Sequence, residues 1–241
     1  MKEQYVGDEN DYRKYALLRH LAIQGEARIG VCWMLTPADG RTDGGLTAYL
    51  RAPPLCDDEV LFAKLKQLAQ VEGPRRLHLV EREKLIPGAI YFDEFISDLA
   101  PLRRAFFESA LDSLGRADLI FFDPDNGVAP RSVARGAANS GKYIYRDEIH
   151  DAYIAGHSLL VYQHFIREER VSHVERLAID LAVCAPSAQL WCFRTPRTAF
   201  FLMVHPRHVP KLALAAKEAC RRWDTGFIAG KSIAAPDNAP G

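Results

Sequence analysis

Apolar residues along this chain fall into two rhythms. Short unbroken runs read as buried strands, and longer stretches with apolar residues every three or four positions read as amphipathic helices. The predicted strands are Ala27–Leu35 ("ARIGVCWML"), Arg76–Glu81 (ending "LHLVE"), Ala89–Asp93 ("AIYFD"), Leu119–Phe122 ("LIFF") and His157–Phe165 ("HSLLVYQHF"). A first helix, which Asn10 or Asp11 could cap, would turn Tyr15, Leu17, Leu18 and Leu21 toward the core. Further helices are predicted over Asp57–Val71, over Leu99–Gly115 with the glycine closing it, and over Arg167–Cys184. Two last strands, Gln189–Thr195 and Ala199–Pro206, are joined through Pro196 and Arg197. That link is too short for a parallel crossover, so the two must form a hairpin.

Strands alternating with helices predict one α/β domain over residues 1–230, its mostly parallel sheet covered by helices on both faces and ended by the antiparallel hairpin. Helical material over about 42–73 would be inserted between the first two strands. Residues 231–241, rich in Ala, Pro and Gly, read as a disordered tail. A hydrophobic content of 48% in 241 residues supports one sizeable core. Lys plus Arg and Asp plus Glu both number 31, so any contact with nucleic acid would need a local basic patch. The five cysteines show neither a CxxC pair nor metal spacing. The polar start does not read as a signal peptide, and no apolar run approaches the ~20 residues that span a bilayer, so a cytoplasmic setting is expected.

Glu81, Asp93 and Asp123 each follow a predicted strand. In an open α/β sheet, ligands lie beyond the carboxyl ends of the strands. A carboxylate there suits a ribose diol, because it accepts from both hydroxyls. Asp123 opens the turn "DPDNG" directly after a wholly apolar strand, with Asp125 two positions on.

These pieces resemble the bacterial family that methylates the exocyclic amine (N6) of an adenine in large-subunit ribosomal RNA. That family opens with Ala-Gly-Asn-x-x-Asp-x-x-Lys, and "VGDENDYRKY" places Gly7, Asp11 and Lys14 at matching positions. Its second strand ends on a glutamate that holds the cofactor ribose, matched by Glu81. Its third ends on an aspartate beside the cofactor adenine, matched by Asp93. Its fourth delivers Asp-Pro-Pro-Tyr, matched in its first half by Asp123-Pro124. The resemblance runs from about Tyr5 to Pro206 in short pieces. It implies a Rossmann-like, seven-stranded S-adenosylmethionine-dependent methyltransferase fold. Lys14, with Tyr15 beside it, and the Thr36–Gly40 loop (Thr36, Asp39, Gly40) would meet the methionine end of the cofactor. Glu81 would meet its ribose and Asp93 its adenine. Asp123 and the Pro124 carbonyl would accept from the target amine, and catalysis would be mainly alignment of an already activated methyl group. The chain departs from the family at Asp125 and Asn126, which replace Pro and Tyr, so no aromatic ring is there to stack on a base. The loop after the first strand is also poorer in glycine.

Other readings use the same residues. "FFDPDNGV" is also similar to the first motif of the haloacid-dehalogenase phosphatases, in which Asp123 would attack phosphorus, Asp125 act as general acid and Mg²⁺ bridge them. The next strand, ending "VYQHF", lacks the Ser or Thr of that superfamily. A nuclease or transferase holding one cation between Asp123 and Asp125 is a further alternative, as is a non-catalytic nucleic-acid-binding relic of the methyltransferase fold. "GAANSGKY" has phosphate-loop spacing up to Lys142, but Tyr143 stands where Ser or Thr belongs. It reads instead as a lid whose Arg131, Arg135, Lys142 and Arg146 could meet phosphates. His164, at a strand end, could serve as an acid, a base or a substrate contact. His205 and His208 would bind a metal only if other ligands converged on them.

Overall fold

A computed structural model describes residues 2–37, 46–70, 76–165 and 168–233. The first helix, α1 (Glu9–Gln24), is capped by Asp8, two positions before Asn10 and three before Asp11. The Asp8 carboxylate accepts from the amides of Asn10 (2.8 Å) and Asp11 (2.9 Å). Strand β1 (Ile29–Cys32) follows. The expected insertion contains a 3₁₀ turn at Ala48–Arg51 and α2 (Glu59–Gln70), while 42–45 and 71–73 lie outside the described residues.

The predicted second strand is a correction. Residues Leu77–Arg82 form a short helix, α3. Six residues reading apolar-polar-apolar-apolar satisfy both periods, so pattern alone could not decide. The helix buries Leu77 and Val80, one turn apart, together with Leu79, in the same cluster as Leu85 and Ile86. The second strand of the structure is therefore β2 (Ile90–Phe92). Then come α4 (Ala100–Ser113), β3 (Leu119–Phe122), β4 (Gly127–Val128), β5 (Tyr143–Ile144), α5 (Arg146–Ile154), β6 (Ser158–His164), α6 (Arg170–Cys184), β7 (Gln189–Arg194), β8 (Thr198–Val204), α7 (Leu214–Arg222) and β9 (Ala229–Ile233).

Seven strands form one mixed sheet in the order β2-β1-β3-β6-β8-β7-β9, and β4 and β5 pair separately, in parallel. The first four strands of the sheet run parallel. The expected hairpin is present, with Trp191 opposite Leu202, and β8 inserts between β6 and β7, antiparallel to both. The total of seven matches the sequence expectation, but the membership differs. The strand lost at Arg76–Glu81 is offset by β9, which pairs with β7 and takes in Lys231, Ser232 and Ile233 from the expected tail. Ala, Gly, Lys and Ser are weak strand formers, so pairing rather than propensity places β9. Residues 234–241 lie outside the described residues.

The core is two clusters divided by the sheet. Leu119 and Phe121 of β3 join α1, α2, α3 and α7 on one face, and Ile120 and Phe122 join α4, α5 and α6 on the other. A strand buried on both faces must read as an unbroken apolar run, as "LIFF" does. Among the described residues no helix is long and apolar enough to cross a membrane.

Candidate functional site at the carboxyl edge of the sheet

Because β2, β1, β3 and β6 run parallel, their carboxyl ends share one edge. Asp123 lies there, 2% exposed, its amide still in the ladder through the Cys32 carbonyl (3.0 Å). Its Oδ2 accepts from Lys14 Nζ at 2.8 Å. Lys14 also donates to Asp11 Oδ1 (2.7 Å), and Asp11 Oδ2 accepts from the Tyr15 hydroxyl (2.9 Å) and the Gly7 amide (3.1 Å). Spacing of three and four residues puts Asp11, Lys14 and Tyr15 on one helical face. The ammonium also lies 5.6–6.0 Å from the ring centres of Tyr15, Trp33, Phe121 and Tyr162.

Burial favours neutral forms, but this network resists it at Lys14. Burial would lower the Lys14 pKa, yet two carboxylates outweigh it, so the ammonium is held above its ordinary range. Burial raises Asp123, against the charge and hydrogen bond of Lys14. Asp8 is pushed up to about 7 by burial and then by the charge of Asp11, despite the two amides it caps.

Asp125 has different partners. Its Oδ2 accepts from the Thr36 hydroxyl (2.6 Å), with Lys2 Nζ at 3.7 Å. Asp123 thus ties β3 to α1, and Asp125 ties the turn to the segment after β1. In that segment Met34 is buried with φ +46, a strained conformation for a side-chain-bearing residue and one more often held by glycine. The turn is locked from three sides. The Asn126 amide donates to the Lys142 carbonyl (2.9 Å), and its carbonyl accepts from Gln163 Nε2 (3.1 Å) and the His164 amide (3.2 Å). Gln163 Oε1 accepts from the Val128 amide (2.9 Å). Gly127, at φ +107, is required here, because a Cβ would lie 2.3 Å from Gln163 Oε1. His164 is exposed at the end of β6, its imidazole lowered by partial burial and then by the charge of Arg197.

Glu81 reaches this edge from α3 rather than from a strand end. It accepts from Trp33 Nε1 at 3.1 Å, and Trp33 stacks on Tyr91 of β2 (centroids 6.0 Å apart). Burial raises Glu81 despite that hydrogen bond, and the charge of Asp93 adds to the rise. Asp93 is exposed, directly after β2. The structure therefore brings Glu81 and Asp93 near each other beside β1. Asp39 and Gly40 lie outside the described residues.

The expected basic lid is tied down by its own acids. Arg135 donates to both carboxylate oxygens of Asp147 (2.5 and 2.7 Å), and Arg146 donates to Asp180 (2.5 Å) and to the Ala129 carbonyl (2.7 Å). Arg131, mostly exposed, lies 3.9 Å from Asp180, and Lys142 is half-buried. The amides of Asn139 (2.9 Å) and Gly141 (2.5 Å), which a phosphate would need, donate to Asp98, as does the Ser140 hydroxyl (3.1 Å). Buried Arg103 donates to the carbonyls of Ser140 (3.3 Å) and Tyr143 (2.6 Å) and makes a two-point pair with Glu148 (2.6 and 2.8 Å). Pattern reading missed Asp98 and Arg103. A buried arginine in "PLRRAFF" is indistinguishable by pattern from its exposed neighbour Arg104.

Among the described residues no group of three His, Cys, Asp or Glu side chains could hold a metal ion. His208 Nδ1 hydrogen-bonds Ser158 Oγ (2.9 Å), far along the chain from the acidic turn. No protein-family model matches the chain, and no curated protein matches it.

Proposed function

We propose that this chain is an S-adenosylmethionine-dependent methyltransferase. The observation that carries the reading is the reversed strand β8 set between β6 and β7, at the end of a parallel β2-β1-β3-β6 core. Methyltransferases of the Rossmann-like class are built on that arrangement. This sheet has one strand fewer beyond β2 and one more, β9, beyond β7.

The donor chemistry at the edge fits the cofactor. Glu81 and Asp93 place two carboxylates beside the ends of β1 and β2, where a ribose diol would be accepted. Since β2 directly neighbours β1, Asp93 takes the ribose side of the site together with Glu81, rather than the adenine side. The cofactor would supply an activated methyl group. Lys14 does not reach out to a ligand carboxylate in this reading. It holds the Asp123 carboxylate fixed, with Asp11 behind it. Asp123 accepts a hydrogen bond from the acceptor nucleophile and aligns it, and the locked turn removes the motion that would blur that alignment.

Calorimetric titration with S-adenosylhomocysteine tests the reading. Glu81→Gln and Asp93→Asn should each weaken binding by about 1.5–3 kcal/mol, the worth of hydrogen bonds to a charged group. Failure of the wild type to bind S-adenosylhomocysteine, with Mg²⁺ bound instead, refutes it.

A further inference from the structure

We propose that the rim at the carboxyl end of β2 docks a basic, apolar segment of a protein, so that the methyl acceptor is a protein side chain rather than a nucleobase. The docking surface stands on its own observations, whereas the acceptor class rests on the methyltransferase reading.

The segment 91–102, "YFDEFISDLAPL", carries Asp93, Glu94 and Asp98 and no lysine or arginine. It also exposes three large apolar side chains: Phe95 at 65%, Leu99 at 61% and Leu102 at 58%. Exposed apolar groups this close in sequence give the segment an apolar surface beside its acids. Phe95 is firmly mounted. It bridges Leu35, whose amide donates to the Glu94 carbonyl (3.3 Å) and whose carbonyl accepts from the Ile96 amide (2.9 Å). Leu35 precedes Thr36, which holds Asp125. Phe95 follows the exposed Asp93 and Glu94 just beyond the end of β2. The rim is thus rigid, apolar, acidic and next to the catalytic turn.

Charge decides between the two kinds of macromolecule. A phosphate backbone brought to this rim would meet carboxylates. Among the described residues, the nearby arginines of α4, α5 and the loop before α5 are engaged away from this rim. Arg104 lines a groove of about 640 Å³ between α4 and α5, shared with Asp147 and Asp151, and Arg135 and Arg146 are paired with Asp147 and Asp180. A segment carrying lysine or arginine among apolar residues complements both features of the rim.

Fluorescence anisotropy with a labelled peptide of alternating leucine and arginine, and in parallel with labelled single-stranded oligoadenylate, tests the proposal at fixed salt. Wild type should bind the peptide, and bind it more tightly than the oligoadenylate. Glu94→Lys, and separately the combined Phe95→Ser, Leu99→Ser and Leu102→Ser, should each weaken peptide binding by about tenfold or more. These side chains are exposed, so circular dichroism and urea midpoints should stay those of the wild type. The proposal is overturned if the peptide does not bind, if the substitutions leave its affinity unchanged, or if oligoadenylate binds at least as tightly as the peptide. Titration with S-adenosylhomocysteine separates the two readings: peptide binding without it keeps the docking surface and removes methyl transfer, and the reverse result removes the docking surface alone.

Discussion

Replacing Lys14 by methionine keeps much of the volume of the side chain and removes its charge. Asp11 and Asp123, both nearly inaccessible, then lose an ammonium at 2.7 and 2.8 Å. Asp11 keeps the Tyr15 hydroxyl and the Gly7 amide as donors. Breaking a buried pair by removing one partner costs about 3–5 kcal/mol, and that is the loss expected at pH 7. The pair is out of solvent, so moderate salt should change this loss little. Acid should change it strongly. Burial already raises the Asp123 carboxyl in the folded protein, and loss of the ammonium raises it further, so over a window above the ordinary carboxylate range the folded variant binds a proton that the unfolded chain does not. Stability of the variant should therefore recover toward wild type as pH falls through that window. Urea denaturation followed by circular dichroism at several pH values measures both effects. Adding Asp123→Asn removes one of the two buried negative charges and should restore part of the loss, a coupling that a double-mutant cycle isolates. A loss below about 1 kcal/mol at pH 7, or a deficit that ignores pH, would show that Lys14 does not neutralise this site.

Three further outcomes follow from the same geometry. Asp8→Asn keeps the helix cap but removes a carboxyl whose pKa is pushed from 3.8 to about 7 in the folded state. Between those values the folded protein holds a proton the unfolded chain lacks, so this group makes wild-type stability fall as pH rises to about 7 and then level off; the variant should lose that slope, as urea midpoints across pH would show. Gly127→Ala forces a Cβ onto Gln163 at positive φ and should cost about 1–3 kcal/mol in urea denaturation, and a neutral result would mean that the turn is not locked as described. Arg103→Met removes the two-point pair from Glu148, which keeps the Tyr145 amide (2.8 Å) and Arg135 (3.5 Å), and takes a donor from two carbonyls, at an expected cost of about 3 kcal/mol. It should also make residues 136–144 the first site of limited proteolysis, and unchanged cleavage would argue against Arg103 as their anchor.

What the sequence disclosed follows from how strongly each segment is constrained by its own pattern. Strands β1, β3 and β6 are buried on both faces, so their apolar runs were unmistakable, and the link through Pro196 and Arg197 left the hairpin no alternative. Asp123 was legible because a wholly apolar run ended on it. The failures lie where tertiary context decides. Residues Leu77–Arg82 satisfy two periods in six positions, and the helix wins because it turns Leu77, Leu79 and Val80 into the cluster beneath α1. Strand β9 has almost no strand-forming residues, and its neighbour β7 creates it. Lys14 was visible as part of a motif, but its double commitment to Asp11 and Asp123 was not, because the second partner lies 109 residues away. The anchoring of the expected lid is hidden for a related reason: glycine and asparagine in "GAANSGK" suggest freedom, whereas Asp98 and Arg103, remote in sequence, pin the segment.

The placement of β9 bears on how this sheet avoids growing. Strand β7, with Leu190, Trp191, Cys192 and Phe193 in succession, would be an adhesive border if it ended the sheet, open to pairing with any extended chain it met. Instead a short strand of small and polar residues covers it, carrying the charge of Lys231 at its centre. Such a strand offers an incoming chain little apolar surface and a charge to bury, which are the features that discourage edge-to-edge association. A chain cut just before Ala229 would keep the residues of the acidic turn yet present β7 to its neighbours. Its characteristic failure would be turbidity on standing at high concentration rather than loss of ligand binding.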